Sequence, residues 1–281
     1  MRSESEIIST IIEIARNNEN IKAVCLNGSR ADKTIKKDKY QDFDIVYIVE
    51  NMGIQVSNLE WINQFGKRTI TQYPALEDLY QYTSKEKSPI LMLFDDFNRI
   101  DLTIISKSNI KQYLQEEKIT QVLLDKESLF SSQDIYINKN SDFDIPYQKV
   151  FDECVTEFYW ISTNVMKGLW REELIYSMTH LNIVREMLFL ILSWKINLEA
   201  GSSIDLGKHY KYIVKHLNSY EYNYIHSSYP NLNKKEIVNS LYTMIKLFDE
   251  TALKVSHQSN VNYTSNMYNE VKKYIGYIDT V

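Results

Sequence analysis

The spacing of apolar residues changes once along this chain, near Pro146, and that change constrains the fold more than any other feature. Beyond it, Phe151, Cys154, Val155, Phe158, Ser162, Val165 and Leu169 recur at helical spacing, and residues 174–196 and 236–254 do the same. That half is expected to be a helical bundle. Before it, short runs rich in β-branched and aromatic residues alternate with helical stretches. Ile8, Ile11, Ile12 and Ala15 form one apolar helix face. Ala23 to Leu26 reads as a strand that ends in a turn at Asn27-Gly28-Ser29-Arg30, and Asp42 to Val49 reads as a central strand. A helix is expected near 56–65, and strands 90–94 and 99–105 face each other across Asp95-Asp96-Phe97-Asn98 as a hairpin. The expected class is therefore α+β, with a mixed-sheet domain over residues 1–147 and an all-helical domain over 148–281.

Composition excludes several functions. The 281 residues carry 32 Lys+Arg against 37 Asp+Glu, a formal charge of −5, which disfavours a long polyanionic partner, since nucleic-acid affinity rests on phosphate neutralisation. Gly28 and Ser29 sit in neither a P-loop nor a dinucleotide-binding glycine pattern, and the five histidines show no HExxH spacing. The two cysteines, Cys25 and Cys154, have no CxxC partner, so a reducing cytoplasm is expected. The acidic N-terminus is unlike a signal peptide, and no apolar run approaches the ~20 residues that span a bilayer, so no membrane segment is expected.

One constellation carries chemistry. Gly28-Ser29 follows a strand, and twelve residues later Asp42-Phe43-Asp44-Ile45 opens another. Side chains alternate along a strand, so Asp42 and Asp44 project together while Phe43 and Ile45 enter the core. Two carboxylates on one face repel unless a cation lies between them, and hard oxygen ligands suit Mg²⁺. Asp101, early in the second hairpin strand, is placed to add a third carboxylate. Gly28 admits a close backbone approach, and the Gly28-Ser29 turn offers N–H groups and a hydroxyl to a phosphate, with Arg30 adding charge.

This arrangement resembles the signature of the nucleotidyltransferase superfamily, the polymerase-β-like fold. Phe65-Gly66-Lys67-Arg68, Ile100-Asp101-Leu102-Thr103, Val122-Leu123-Leu124-Asp125-Lys126, Phe151-Asp152-Glu153-Cys154 and Leu206-Gly207-Lys208-His209-Tyr210-Lys211 are similar to stretches of the aminoglycoside 6-adenylyltransferases, the streptomycin adenylyltransferases. The chain departs from that pattern at Thr179, where an acidic residue precedes the His-Leu-Asn that stands here at 180–182. The resemblance implies transfer of AMP from ATP to a streptomycin hydroxyl by a cytoplasmic monomer. It implies Asp42, Asp44 and Asp101 as catalytic Mg²⁺ ligands, with Gly28, Ser29 and Arg30 at the triphosphate. Lys208 and Lys211 stand three residues apart, a spacing that would put them on one helix face near the pyrophosphate. Asp152, Glu153 and Glu173 of the helical half would meet the cationic aminoglycoside. Two alternatives carry the same motifs: a nucleotidyltransferase acting on another antibiotic such as a lincosamide, and a non-catalytic, antitoxin-like nucleotide-binding module.

Overall fold

The structure is a computed structural model that describes residues 1–79, 86–117, 119–131, 136–138, 145–264 and 268–280. The chain divides into two compact units, Met1–Asn140 and Ser141–Val281.

Among the described residues of the first unit seven strands form one mixed sheet: β1 (Ile21–Asn27), β2 (Phe43–Val49), β3 (Arg68–Gln72), β4 (Lys87–Phe94), β5 (Arg99–Ser106), β6 (Ile119–Asp125) and the three-residue β7 (Tyr136–Asn138). Their spatial order is β3-β4-β5-β2-β1-β6-β7. β2 and β5 run parallel and the other neighbours antiparallel. Strict alternation sorts the side chains. Val24 and Leu26, Phe43, Ile45 and Tyr47, and Ile100, Leu102 and Ile104 enter one core, which also holds Ile7, Ile11, Ile14 and Ala15 of α1 (Glu4–Arg16). Ala23, Cys25, Val46, Ile48 and Ile105 face the opposite side, where Tyr113 of α4 (Ile110–Glu116) packs on them.

Local sequence explains the ends of these elements. Ser3 and Glu6 form a reciprocal capping box that satisfies two free N–H groups at the start of α1. The buried face of α1 overlaps the expected one: Ile11 and Ala15 are buried as expected, Ile7 and Ile14 join them, and Ile8 and Ile12 are half-buried. The helix expected near 56–65 is split. α3 (Met52–Ser57) ends at an extended Asn58, and a 3₁₀ helix over Glu60–Phe65 follows.

The second unit is helical: α5 (Gln148–Trp170), α6 (Leu174–Ala200), α7 (Ser219–Ser227), α8 (Lys234–Gln258) and α9 (Asn269–Thr280). Its core joins Phe151, Phe158 and Val165 of α5 to Leu181, Leu188 and Trp194 of α6 and to Leu241 and Phe248 of α8, with Phe158 stacked on Phe248 at 3.8 Å. α6 corrects one expectation. Its 27 residues are long and apolar enough, by length and composition, to cross a membrane. In the structure 39% of its most apolar window is buried, with Leu181, Leu188 and Trp194 in the bundle core, and Arg185 and Lys195 are buried along the same helix.

Candidate active site

β1 delivers Asn27 to its C-terminal end, where Gly28 turns the chain into the single helical turn α2 (Gly28–Ala31). Gly28 has φ +66°, and a Cβ built there would lie 2.0 Å from Oδ2 of Asp44. The residue is glycine for two reasons, its left-handed backbone and its approach to a carboxylate. Asp44 lies opposite Asn27 on β1 and opposite Asp101 on the parallel strand β5. Phe43 and Ile45 are buried beneath, as alternation requires, but β2 begins at Phe43, so Asp42 lies in the segment just before the strand. Asp44 and Asp101 thus stand level on one sheet face, at the end of the small core that α4 leaves uncovered.

Crowded carboxylates shape the charges. Asp44 is pushed up to about 6, first by burial and then by the negative charges of Asp101, Asp42 and Glu117. Asp42 is also raised, mainly by burial, with Arg99 opposing. Arg99 is the local counter-ion. Its Nε and Nη2 donate to the two oxygens of Asp101 at 2.8 and 2.7 Å, and its Nη1 lies 3.6 Å from Oδ2 of Asp42. Asp44 has no hydrogen-bonding or ion-pairing partner among the described residues.

The same face forms a cavity of about 330 Å³ whose walls include Gly28, Asp44, Asp101, Thr103, Lys87 and Glu117. Tyr113 closes it, donating to Oδ1 of Asn27 at 2.7 Å and so bracing the residue before the glycine turn. Glu117 is raised by burial, and Lys87 is paired with Glu116 at 2.5 Å. Sequence reasoning found none of Arg99, Thr103, Tyr113 and Glu117. Arg99 and Thr103 alone carried a signal, since they flank Asp101 at two-residue spacing and therefore share its face.

Hard, anionic oxygens from neighbouring strands, one of them unpartnered, are a donor set that fits Mg²⁺. No group of three or more His, Cys, Asp or Glu among the described residues is already gathered to metal-holding distance. Arg99 bridges two of the three carboxylates instead.

The other expected site residues fall as follows. Ser29 lies beside Gly28 in α2, and its carbonyl accepts from Gln41. Arg30 is not turned toward the aspartate face. Its guanidinium donates to the carbonyls of Asp42 and Gln41 at 3.1 and 2.7 Å and to Glu4 at 3.2 Å, and it stacks on Phe43 with its side chain 7% exposed. It therefore braces the segment that presents Asp42. In the helical unit Lys208 and Lys211 flank a 3₁₀ turn in which His209 and Tyr210 are left-handed, so no shared α-helical face forms. Asp152 accepts from Gln148 and Glu153 lies 3.8 Å from Lys149; together with Thr156 and Glu157 these residues line a groove of about 680 Å³ on α5. Glu173 stands apart from that groove, at the N-cap of α6.

A mixed sheet that sets a glycine-serine turn against two aspartate-bearing neighbouring strands is the arrangement of a nucleotidyltransferase. Comparison with known proteins agrees. The profile of the streptomycin adenylyltransferase family matches residues 1–278, and the chain belongs to that family. It is 32% identical over 284 residues to an aminoglycoside 6-adenylyltransferase of Bacillus subtilis (strain 168), covering 97% of this chain and 100% of the relative. To an aminoglycoside 6-adenylyltransferase of Campylobacter jejuni it is 33% identical over 265 residues, covering 94% and 91%. A crystal structure of an aminoglycoside 6-adenyltransferase from Bacillus subtilis aligns over 100% of both chains at 30% identity, with a TM-score of 0.49.

Proposed function

We propose that the protein transfers AMP from Mg-ATP to streptomycin, at its 6-hydroxyl, releasing pyrophosphate and inactivating the drug. The observation that carries this reading is the register that sets Asp44 level with Asp101, with Gly28 packed so tightly on Asp44 that no side chain fits. The aminoglycoside acceptor is supported by the relatives named above, and streptomycin by the family description.

In the proposed reaction the acceptor oxygen forms a bond to the α-phosphorus, the bond from that phosphorus to the β-bridging oxygen breaks, and the hydroxyl proton passes to a carboxylate oxygen of the cluster. Asp42, Asp44 and Asp101 would hold Mg²⁺, which when bound supplies Lewis-acid stabilisation of charge on the phosphate oxygens. The N–H groups of the Gly28-Ser29 turn and the Ser29 hydroxyl receive the triphosphate. Arg30 acts from behind, by fixing the Gln41-Asp42 backbone. Lys208 and Lys211 serve the pyrophosphate, and Asp152, Glu153 and Glu173 attract the cationic drug. In this reading residues 1–147 are the nucleotide-binding domain and 148–281 the drug-binding domain. The enzyme works as a monomer in the cytoplasm, a reducing compartment with which two buried, free cysteines are in keeping.

The test is pyrophosphate release from Mg-ATP in the presence of streptomycin. Release is expected with wild-type protein and is lost in Asp42→Asn and Asp44→Asn. Release with a lincosamide and not with streptomycin would move the acceptor, and ATP binding without release across an antibiotic panel would make the protein a binding module.

A further inference from the structure

The residue with the most consequential geometry outside the expected set is Arg99. It opens β5 directly after the hairpin turn and lies two residues before Asp101, so both side chains leave the same face of the strand. Its guanidinium engages both oxygens of Asp101 at once and reaches across to Asp42 on the neighbouring segment. The other cations near these acids are committed elsewhere: Arg30 to backbone carbonyls and Glu4, Lys87 to Glu116. Arg99 is also loosely held away from the acids. Its side chain is 45% exposed, against 22% for Asp101, and it has open solvent to move into.

A divalent cation bound by Asp42 and Asp101 needs the oxygens that Arg99 occupies. The two cannot share the fork, because a planar guanidinium engaged bidentately uses both carboxylate oxygens. We propose that Arg99 is a placeholder cation, which keeps Asp42 and Asp101 oriented toward one another in the metal-free protein and is exchanged for the divalent ion when the site loads. Arg99 is thereby a positioning residue whose presence weakens metal binding in the absence of nucleotide. This inference rests on the metal-dependent reading above.

The experiment is direct titration of Mn²⁺ onto nucleotide-free protein, read by the electron paramagnetic resonance signal of free Mn²⁺ and requiring no turnover. Wild type, Arg99→Gln, Arg99→Lys and each of these combined with Asp44→Asn are compared. Removing the competing fork should tighten Mn²⁺ binding about two- to fivefold in Arg99→Gln, the scale of a partly exposed charged pair. Arg99→Lys, which keeps the charge and loses the fork, should fall between. Asp44→Asn should weaken binding in every background. Equal Mn²⁺ affinity in wild type and Arg99→Gln, with both sensitive to Asp44→Asn, would overturn the placeholder role and leave the metal reading standing. Mn²⁺ binding that is absent throughout, or indifferent to Asp44→Asn, would overturn the metal reading and this inference with it.

Discussion

Replacing Asp44 by asparagine should abolish a specific pH dependence of stability. The carboxyl is raised from 3.8 to about 6 in the folded protein, chiefly by burial and then by Asp101, Asp42 and Glu117. At pH below about 4 the group is protonated in both folded and unfolded chains and costs nothing. Between about 4 and 6 the folded chain still holds a proton that the unfolded chain has released, so stability falls as pH rises. Above about 6 both states are ionised and the full penalty is present, at most about 3 kcal/mol for a gap of about two pH units at ~1.36 kcal/mol each. Urea unfolding in EDTA, for wild type and Asp44→Asn across this range, reads the effect as the difference between the two proteins. The asparagine amide adds a constant of its own, so the slope is the observable. Wild type should lose up to ~3 kcal/mol relative to the variant between about pH 4 and 7. A difference that stays flat would refute the claim that Asp44 is desolvated among like charges. Added Mg²⁺ should restore the wild type above about pH 6 and leave the variant unchanged, since a ligand that binds the folded state stabilises it.

Three further outcomes follow from contacts already described. Gly28→Ala puts a Cβ into Oδ2 of Asp44 at a left-handed φ, and should cost about 1–3 kcal/mol in thermal unfolding and remove nucleotidyl transfer. Wild-type behaviour would mean that the turn does not pack as described. Arg30→Lys loses the fork onto the Gln41 and Asp42 carbonyls, and calorimetry should show a loss of about 1–3 kcal/mol, whereas unchanged stability with lost ATP affinity would return Arg30 to the triphosphate. In the helical unit Lys195 and Glu221 form a 2.6 Å ion pair at 3% and 1% exposure. Lys195→Met alone should cost about 2–4 kcal/mol in denaturant unfolding, because it removes the buried partner of the carboxylate and leaves only the half-exposed Lys254, 3.7 Å from the same oxygen. Adding Glu221→Gln, which retains an acceptor for the Asn218 N–H at the start of α7, should recover most of that loss, and a double variant no better than the single would contradict the pairing.

How much of this was legible depends on whether local pattern or tertiary contact decides each feature. The alternation Phe43-Asp44-Ile45 is local, and it placed Asp44 on the open face and two apolar residues in the core, while Asp42 falls just before the strand. The β4–β5 hairpin was legible from the turn Asp95–Asn98, as were α5, α6 and α8 from long 3.6-residue periodicity. β6 was not. Only one of its residues, Thr120, is fully buried, and what makes it a strand is pairing with β1, along the edge of β1 that faces away from β2. The break at Asn58 is a local turn between two short helices that share one apolar pattern, so periodicity ran through it. At the candidate site the acids were readable by type and spacing. The partners of Arg30 and Arg99 were not, because a guanidinium can brace a backbone or neutralise a carboxylate and the choice is made by distant residues. The left-handed His209 and Tyr210 likewise defeat a helical reading of Lys208 and Lys211.

The most direct measurement is mass spectrometry of streptomycin recovered after incubation with ATP, Mg²⁺ and either wild-type protein or Asp44→Asn. The drug should gain one adenylyl group with wild type and none with the variant. Unmodified drug from wild-type protein, or modification that persists without the Asp44 carboxylate, would contradict the assignment of nucleotidyl transfer to this cluster.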